Sequence, residues 1–232
     1  MAVSTTQHLS QQATGVWLRH RTALLMTAII GLAALLRLYR IDANGLSNDE
    51  SWSVWVASQS VTGIVRTILF QTVDATPPTY YTLLHLAMRF DTGLFGIRAV
   101  SILAGALAVW LTFRFAALLF DLRVATLSAV LLAIAPLHIT YSQISRAYML
   151  ASLLALLSLY LFARLLLKQG NRWTWMWFVV ATAAMLYTFY LMFLVVVFEN
   201  SVIAVLWLRR RLPRAHLVAW LRSQIVLALA VV

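Results

Sequence analysis

The sequence has no cysteine, few charges and very little acid. Without cysteine there is no disulfide framework and no thiolate metal site, and the redox compartment stays open. Charged residues make up 11% of the chain, against roughly 25% in a soluble domain. The apolar fraction is 62% and the mean hydropathy +0.86, so water is not the solvent for most of the surface. Seven acids stand against eighteen Lys and Arg, a net charge of +11. That balance does not point to nucleic acid, because the basic residues sit at the ends of apolar runs rather than on a polar face. They read as topology signals. No internal repeat or low-complexity segment divides the chain.

What is present is a series of long apolar runs. Six are long enough, or nearly so, to cross a bilayer core of about 30 Å, which takes about 20 helical residues. They lie near 22–39, 98–120, 124–140, 149–167, 173–190 and 191–208, with a partial seventh from 217. Residues 1–21 form a polar tail without a cleavage site, and 22–232 read as one membrane domain. The chain stops at Val232 inside an apolar run, which predicts a missing C-terminal part. The segment 78–90 has only thirteen residues before Asp91, interrupted by Tyr80, Tyr81 and His85, and reads as a re-entrant or interfacial helix. If it does not span, Arg19 and Arg21, Arg123, the Arg164/Lys168/Arg172 group and the Arg209–Arg211/Arg214 cluster all share one side. By the excess of Lys and Arg in cytoplasmic loops, that side is the cytoplasm. If it spans, the last three groups move outside.

The expected fold class is therefore all-α, a polytopic transmembrane helical bundle with a long outer first loop, residues 40–97. This loop holds five of the seven acids: Asp42, Asp49, Glu50, Asp74 and Asp91. Ser47 can cap a helix with Glu50 at its third position, ahead of Trp52, Val54, Trp55 and Val56. A second short helix is expected from Thr62 to Phe70. Tryptophan at this density suits helices lying in the headgroup layer.

Three stretches of this outer surface carry chemistry. Asp49 and Glu50 are adjacent carboxylates that can divide work, one accepting a proton while the other orients a ligand; the plainer reading is a solvated pair in which Glu50 only caps a helix. In Asp74-Ala75-Thr76-Pro77-Pro78-Thr79-Tyr80-Tyr81, the prolines set an extended entry into a short helix. A turn explains the prolines but not a carboxylate, two phenols and His85 at one surface. Tyr141-Ser142-Gln143-Ile144-Ser145-Arg146-Ala147-Tyr148 follows the third span. An outer Arg146 near outer carboxylates suits an anionic ligand, whose oxygens the guanidinium grips in pairs; its plainer readings are snorkelling or an ion pair with Asp49 or Glu50. Glu199, inside an apolar run, is either a protonated packing residue or part of a site. His138, beside Pro136, reads as a hydrogen-bonded helix residue, since zinc wants four ligands.

In this order and topology the motifs resemble the GT-C superfamily of membrane glycosyltransferases, and within it the group of protein O-mannosyltransferases, aminoarabinose transferases and RgtA/B/C/D-like enzymes. Asp49 and Glu50 match the family's Asp-Glu of the first outer loop. Asp74, Pro77, Pro78, Tyr80 and Tyr81 match its Pro-Pro-x-Tyr-Tyr stretch with a preceding acid. Arg98 and Ser101 match an Arg-x-x-Ser at the head of a span. Tyr141, Ser142, Gln143, Arg146 and Tyr148 match a Tyr-Ser-Gln…Arg-x-Tyr stretch, and Tyr187, Thr188 and Tyr190 a Tyr-Thr-x-Tyr motif. The chain departs from the pattern at Ile144, where Glu is common, and at Phe189, where His is usual. Both departures remove possible metal or proton ligands.

The resemblance implies a sugar donor on a polyprenyl phosphate and an acceptor hydroxyl on a glycan, lipid or protein, joined at the outer face of an inner (plasma) membrane. It implies Asp49, with Glu50, as the catalytic carboxylates, and Arg146 with Tyr148 as the donor-phosphate site. Asp74, Tyr81, His85 and Gln143 are the further substrate-binding candidates. A divalent metal is possible and no other cofactor is indicated. Two other classes remain open: a transporter of lipid-linked sugars, which would place acids near the midplane, and a non-catalytic scaffold or inactive paralogue.

Overall fold

The computed structural model describes residues 22–43, 45–70 and 76–231. The tail 1–21, with Arg19 and Arg21, and the site candidate Asp74 lie outside the described residues. Every regular element described is helical: α1 (Thr22–Leu38), α2 (Asn48–Ala57), α3 (Val61–Phe70), α4 (Pro78–Met88), α5 (Leu94–Leu119), α6 (Leu122–Ile134), α7 (Pro136–Ser142), α8 (Tyr148–Leu166), α9 (Arg172–Leu186), a 3₁₀ turn (Tyr190–Met192), α10 (Phe193–Leu208) and α11 (Arg214–Val231). The all-α membrane bundle expected from the sequence is what is found.

Among the described residues three helices are long and apolar enough to cross a bilayer, Leu94–Leu119, Tyr148–Leu166 and Tyr190–Leu208, or four if the bent pair α6 and α7 is one span. The expected span at 124–140 corresponds to two helices, α6 and α7, which together are long and apolar enough to cross but are bent by 59°, a broken span or a re-entrant loop. The cause is Pro136, which has no N–H to continue the ladder and forces Ala135 to an extended ψ of 118°. The expected span at 173–190 stops after the 15 residues of α9, because Tyr187 and Thr188 turn into the 3₁₀ segment. α5 begins four residues earlier than the expected 98. There the Asp91 carboxylate accepts from Gly93 N at 2.8 Å and Gly96 N at 2.9 Å, satisfying N–H groups of the first turn. Gly96 is required: a Cβ there would stand 1.9 Å from the Asp91 carbonyl oxygen.

The bundle packs through small residues. Ala125, Ala129 and Ala133 recur every four positions along α6 and are fully buried against Ala33 of α1 and Val109 of α5. Small side chains let helices approach closely where the lipid itself gives no drive to associate. At Gly105 of α5 a Cβ would meet Ser142 Oγ at 2.2 Å and Arg37 Nε at 3.0 Å, so α5, α7 and α1 converge there. Arg37 is fully buried. It donates to the carbonyls of Ala33 (2.7 Å) and Ala133 (3.3 Å) and to His138 Nδ1 (2.7 Å). The cation thus sits at the C-terminus of α6, where the break leaves carbonyls without helical partners and the dipole favours positive charge. Because Arg can only donate, His138 accepts, as a hydrogen-bonded helix residue. Glu199 is also fully buried, and Ser158 Oγ of α8 donates to it at 2.8 Å. It ties α10 to the bundle, which otherwise buries only Ile203 of that helix.

The chain path defines two ends. α8 leaves Tyr148 and covers 19 residues to Leu166, about 28 Å at 1.5 Å per residue. Phe189 stacks edge-on against Tyr148 at 5.8 Å, so α10 starts at the same end as α8 and also runs away from it. The end carrying α2–α4 and Tyr148 is called the site end below, and the other the far end.

Candidate active site

The site end is built around the N-terminus of α2. Ser47 Oγ accepts from Glu50 N at 3.3 Å, and the Ser47 N–H donates back to Glu50 Oε2 at 3.1 Å, the expected capping box. Glu50 does more than cap. It is 2% exposed, and Arg98 from the first turns of α5 donates through Nε to Oε1 at 2.9 Å and through Nη2 to Oε2 at 3.0 Å. The Ser145 N–H donates to Oε1 at 2.9 Å. A two-pronged guanidinium–carboxylate pair is directional as well as strong. Burial alone would raise the Glu50 carboxyl; the bonds from Arg98, Ser145 and Ser47 and the Arg98 charge together overcome it and hold the group below the usual carboxylate range.

Arg98 also fixes the loop before α2, donating to the carbonyls of Ile41 and, at 3.2 Å, Gly45. Gln143 holds the same loop from the other side, donating to the carbonyls of Arg37 (3.0 Å) and Tyr39 (2.9 Å). This segment has two rigid attachments before it reaches Asp49. Asp49 itself is exposed, one residue before the buried Glu50.

The loop 143–147 closes the other half. Tyr80 of α4 is fully buried, with its phenol 3.2 Å from Ser145 Oγ. Burial pushes this phenol up to about 12, so it stays neutral and serves as a hydrogen-bonding group rather than a base. Ser101 Oγ donates to the Arg146 carbonyl at 3.4 Å. The Arg146 guanidinium lies 5.8 Å from the Tyr148 ring, a cation–π contact, and its charge reaches the Tyr80 phenol. Tyr148 is boxed edge-on by Tyr141 at 5.6 Å and Phe189 at 5.8 Å. Phe189 therefore supplies an aromatic wall.

The structure thus brings Asp49, Glu50, Gln143, Arg146 and Tyr148 to one end. Glu50 Oε1 and Ser145 N, neighbours of Asp49 and Arg146, share a hydrogen bond. Tyr81, fully buried, shares with Tyr80 the apolar cluster of Val56, Ile64 and Leu84 that seats α2 and α3 on α4, the two rings 5.9 Å apart. His85 holds its Nδ1 2.8 Å from the carbonyl of Ala57, a member of that cluster at the end of α2. Sequence reading did not single out Arg98 as the partner of Glu50, although the Arg98/Ser101 spacing puts both on one face of α5. Nor did it pick Ser145, whose N–H and hydroxyl serve both halves of the site. Among the described residues no three of His, Cys, Asp and Glu gather as a metal set. Glu50 is taken up by Arg98.

The fold is a polytopic helical membrane protein that gathers a carboxylate, a guanidinium and aromatic walls at one end. Residues 74–232 match the family described as dolichyl-phosphate-mannose-protein mannosyltransferase, and the chain belongs to that family. No curated protein matches it. Family membership makes it a glycosyltransferase-type membrane protein with a lipid-phosphate sugar donor.

Proposed function

We propose that the chain carries the donor and base half of a glycosyltransferase centre that moves a sugar from a polyprenyl phosphate to an acceptor hydroxyl, at the extracytoplasmic face of the inner membrane. The observation that carries this reading is the Glu50 knot. It clamps α2 to α5 and to the 143–147 loop while leaving Asp49 exposed beside it.

In this reading Asp49 removes the acceptor's proton as its oxygen attacks the anomeric carbon, with inversion. The bond to the phosphate oxygen breaks and the lipid phosphate departs as an anion, so no carboxylate need act as acid. Arg146 holds that phosphate, and the aromatic box around Tyr148 fixes the approach, a preorganised electrostatic role. Glu50 positions Asp49 rather than exchanging protons. A cavity of about 580 Å³ beside Tyr148, walled by Leu132, Leu137, Met149 and Met192, offers an apolar berth for the donor's isoprenoid chain. The face assignment rests on charge: Arg123, Arg164, Lys168, Arg172 and Arg209–Arg211 lie towards the far end, which the positive-inside rule makes cytoplasmic. Asp74 remains a candidate for the acceptor side.

Asp49→Asn tests this. Transfer from a polyprenyl-phosphate sugar in membranes should fall by about 10²–10⁴-fold, the worth of a placed base, with insertion and unfolding temperature unchanged. Transfer at the wild-type rate would sink the reading and favour a non-catalytic role.

A further inference from the structure

The far end carries a second concentration of function-bearing chemistry, one that sugar transfer does not use. From residue 164 onward the chain holds Arg164, Lys168, Arg172, Arg209, Arg210, Arg211, Arg214 and Arg222, and its only acid is Glu199. Glu199 is fully buried between α8 and α10 and neutralises none of them. The fold gathers these cations. α8 and α10 both end here, and the ring of His216 in the first turn of α11 lies 5.5 Å from Trp175 in the first turn of α9. Lys168, in the α8–α9 turn, is close enough for its charge to act on His216. Two turns distant in sequence therefore form one basic surface.

Both turns hold their cation at a cost in backbone strain. Lys168 (φ 55°) and Arg210 (φ 53°) take the left-handed conformation just past a helix, where glycine is the unstrained choice. Deeper in, a groove of about 450 Å³ separates α9 from α11. Met176, Val179, Val180 and Val226 make its apolar walls, and Arg222 is the single charged group in its lining. Arg222 lies eight residues into α11, about 12 Å along the helix, and has no carboxylate partner among the described residues. An arginine at that depth beside an apolar groove is poorly served by lipid tails alone.

We propose that this end is a docking site for an anionic phospholipid. One acyl chain lies in the groove between α9 and α11, Arg222 grips its phosphate, and the cations of the two turns draw the anion to this end. Charge selects the occupant: a zwitterionic lipid brings its own cation to two turns and flanking helices that already hold eight cations, while the one described acid at this end, Asp121, lies in the α5–α6 turn and caps α6. Basic pockets between membrane helices hold anionic headgroups by this chemistry, each Lys or Arg contributing about fivefold near the surface. A planar guanidinium suits the two free oxygens of a phosphodiester. The site is a membrane span away from Asp49 and is independent of the catalytic reading.

Native mass spectrometry of the full chain, released from nanodiscs holding equal phosphatidylglycerol and phosphatidylcholine, tests it. The wild type should retain phosphatidylglycerol preferentially. Arg222→Gln should lower the retained ratio about fivefold, while Arg123→Gln, at the same end but on α6, should leave it unchanged. Equal retention of the two lipids overturns the proposal. So does an Arg222→Gln variant with the wild-type ratio, and so does an equal loss in both variants, which would mean diffuse surface charge rather than a site.

Discussion

Arg98 at the site end and the arginines of the far-end turns are used in opposite ways. At the site end Arg98 is 4% exposed, pinned to Glu50 by two bonds and to two carbonyls of the preceding loop. At the far end Arg209, Arg210, Arg211 and Arg222 are exposed and meet no carboxylate among the described residues. A buried, saturated guanidinium fixes geometry and has no capacity left for a ligand. An exposed, unpaired one contributes little to the fold and is free to bind. The contrast assigns Arg98 to architecture and the far-end arginines to the membrane. Arg146 is intermediate: half-buried, with its guanidinium near the Tyr148 ring.

The comparison breaks most visibly at Arg98. Arg98→Met leaves Glu50 buried without its cation, and removing one partner of a buried pair costs about 3–5 kcal/mol. The unfolding temperature in detergent should collapse, whereas Arg210→Met should leave it unmoved; equal effects would erase the distinction between the ends. The Arg98→Met/Glu50→Met pair should recover much of the loss. Acid should mimic the single change. Since folded Glu50 titrates below its ordinary 4.5, its contribution is whole above that value and is lost as pH falls through the lower folded value.

Gly105→Ala comes next. Its Cβ would enter the space of Ser142 Oγ at 2.2 Å and Ser142 Cβ at 2.9 Å, where neither α5 nor α7 can yield freely. Overpacking of this kind costs about 1–3 kcal/mol, read as a lower unfolding temperature. Lys168→Gly should act in the other direction and by least, relieving the left-handed strain at φ 55° for a gain of about 1 kcal/mol. A loss there would show that the charge, not the backbone, stabilises that turn.

Much of this architecture was legible in the sequence because it is local. The Ser47/Glu50 box, the proline entry of α4 and the short helix expected from Thr62 and found from Val61 depend on neighbours within one turn. What was not legible depends on distant partners. Nothing near Glu50 announces that Arg98, 48 positions on, will bury it, so a solvated carboxylate was an equally good reading. Tyr80 and Tyr81 read in the sequence as surface phenols, yet both are fully buried in the cluster beneath α2 and α3, and the Tyr80 phenol meets Ser145, 65 positions on. Pro136 was visible, but a helix that bends and one that stops share the same local signal, and only Arg37 covering the Ala133 carbonyl shows that the break is built in.

The central claim is that Asp49 and Arg146 meet on one face of the membrane, opposite the basic turns. With no native cysteine to remove, single Asp49→Cys, Arg146→Cys and Lys168→Cys variants can be labelled with a membrane-impermeant maleimide in intact cells. The account predicts that positions 49 and 146 label from outside and that position 168 labels only after the membrane is opened. Labelling of 49 and 146 from opposite sides, or of all three from the same side, would contradict it.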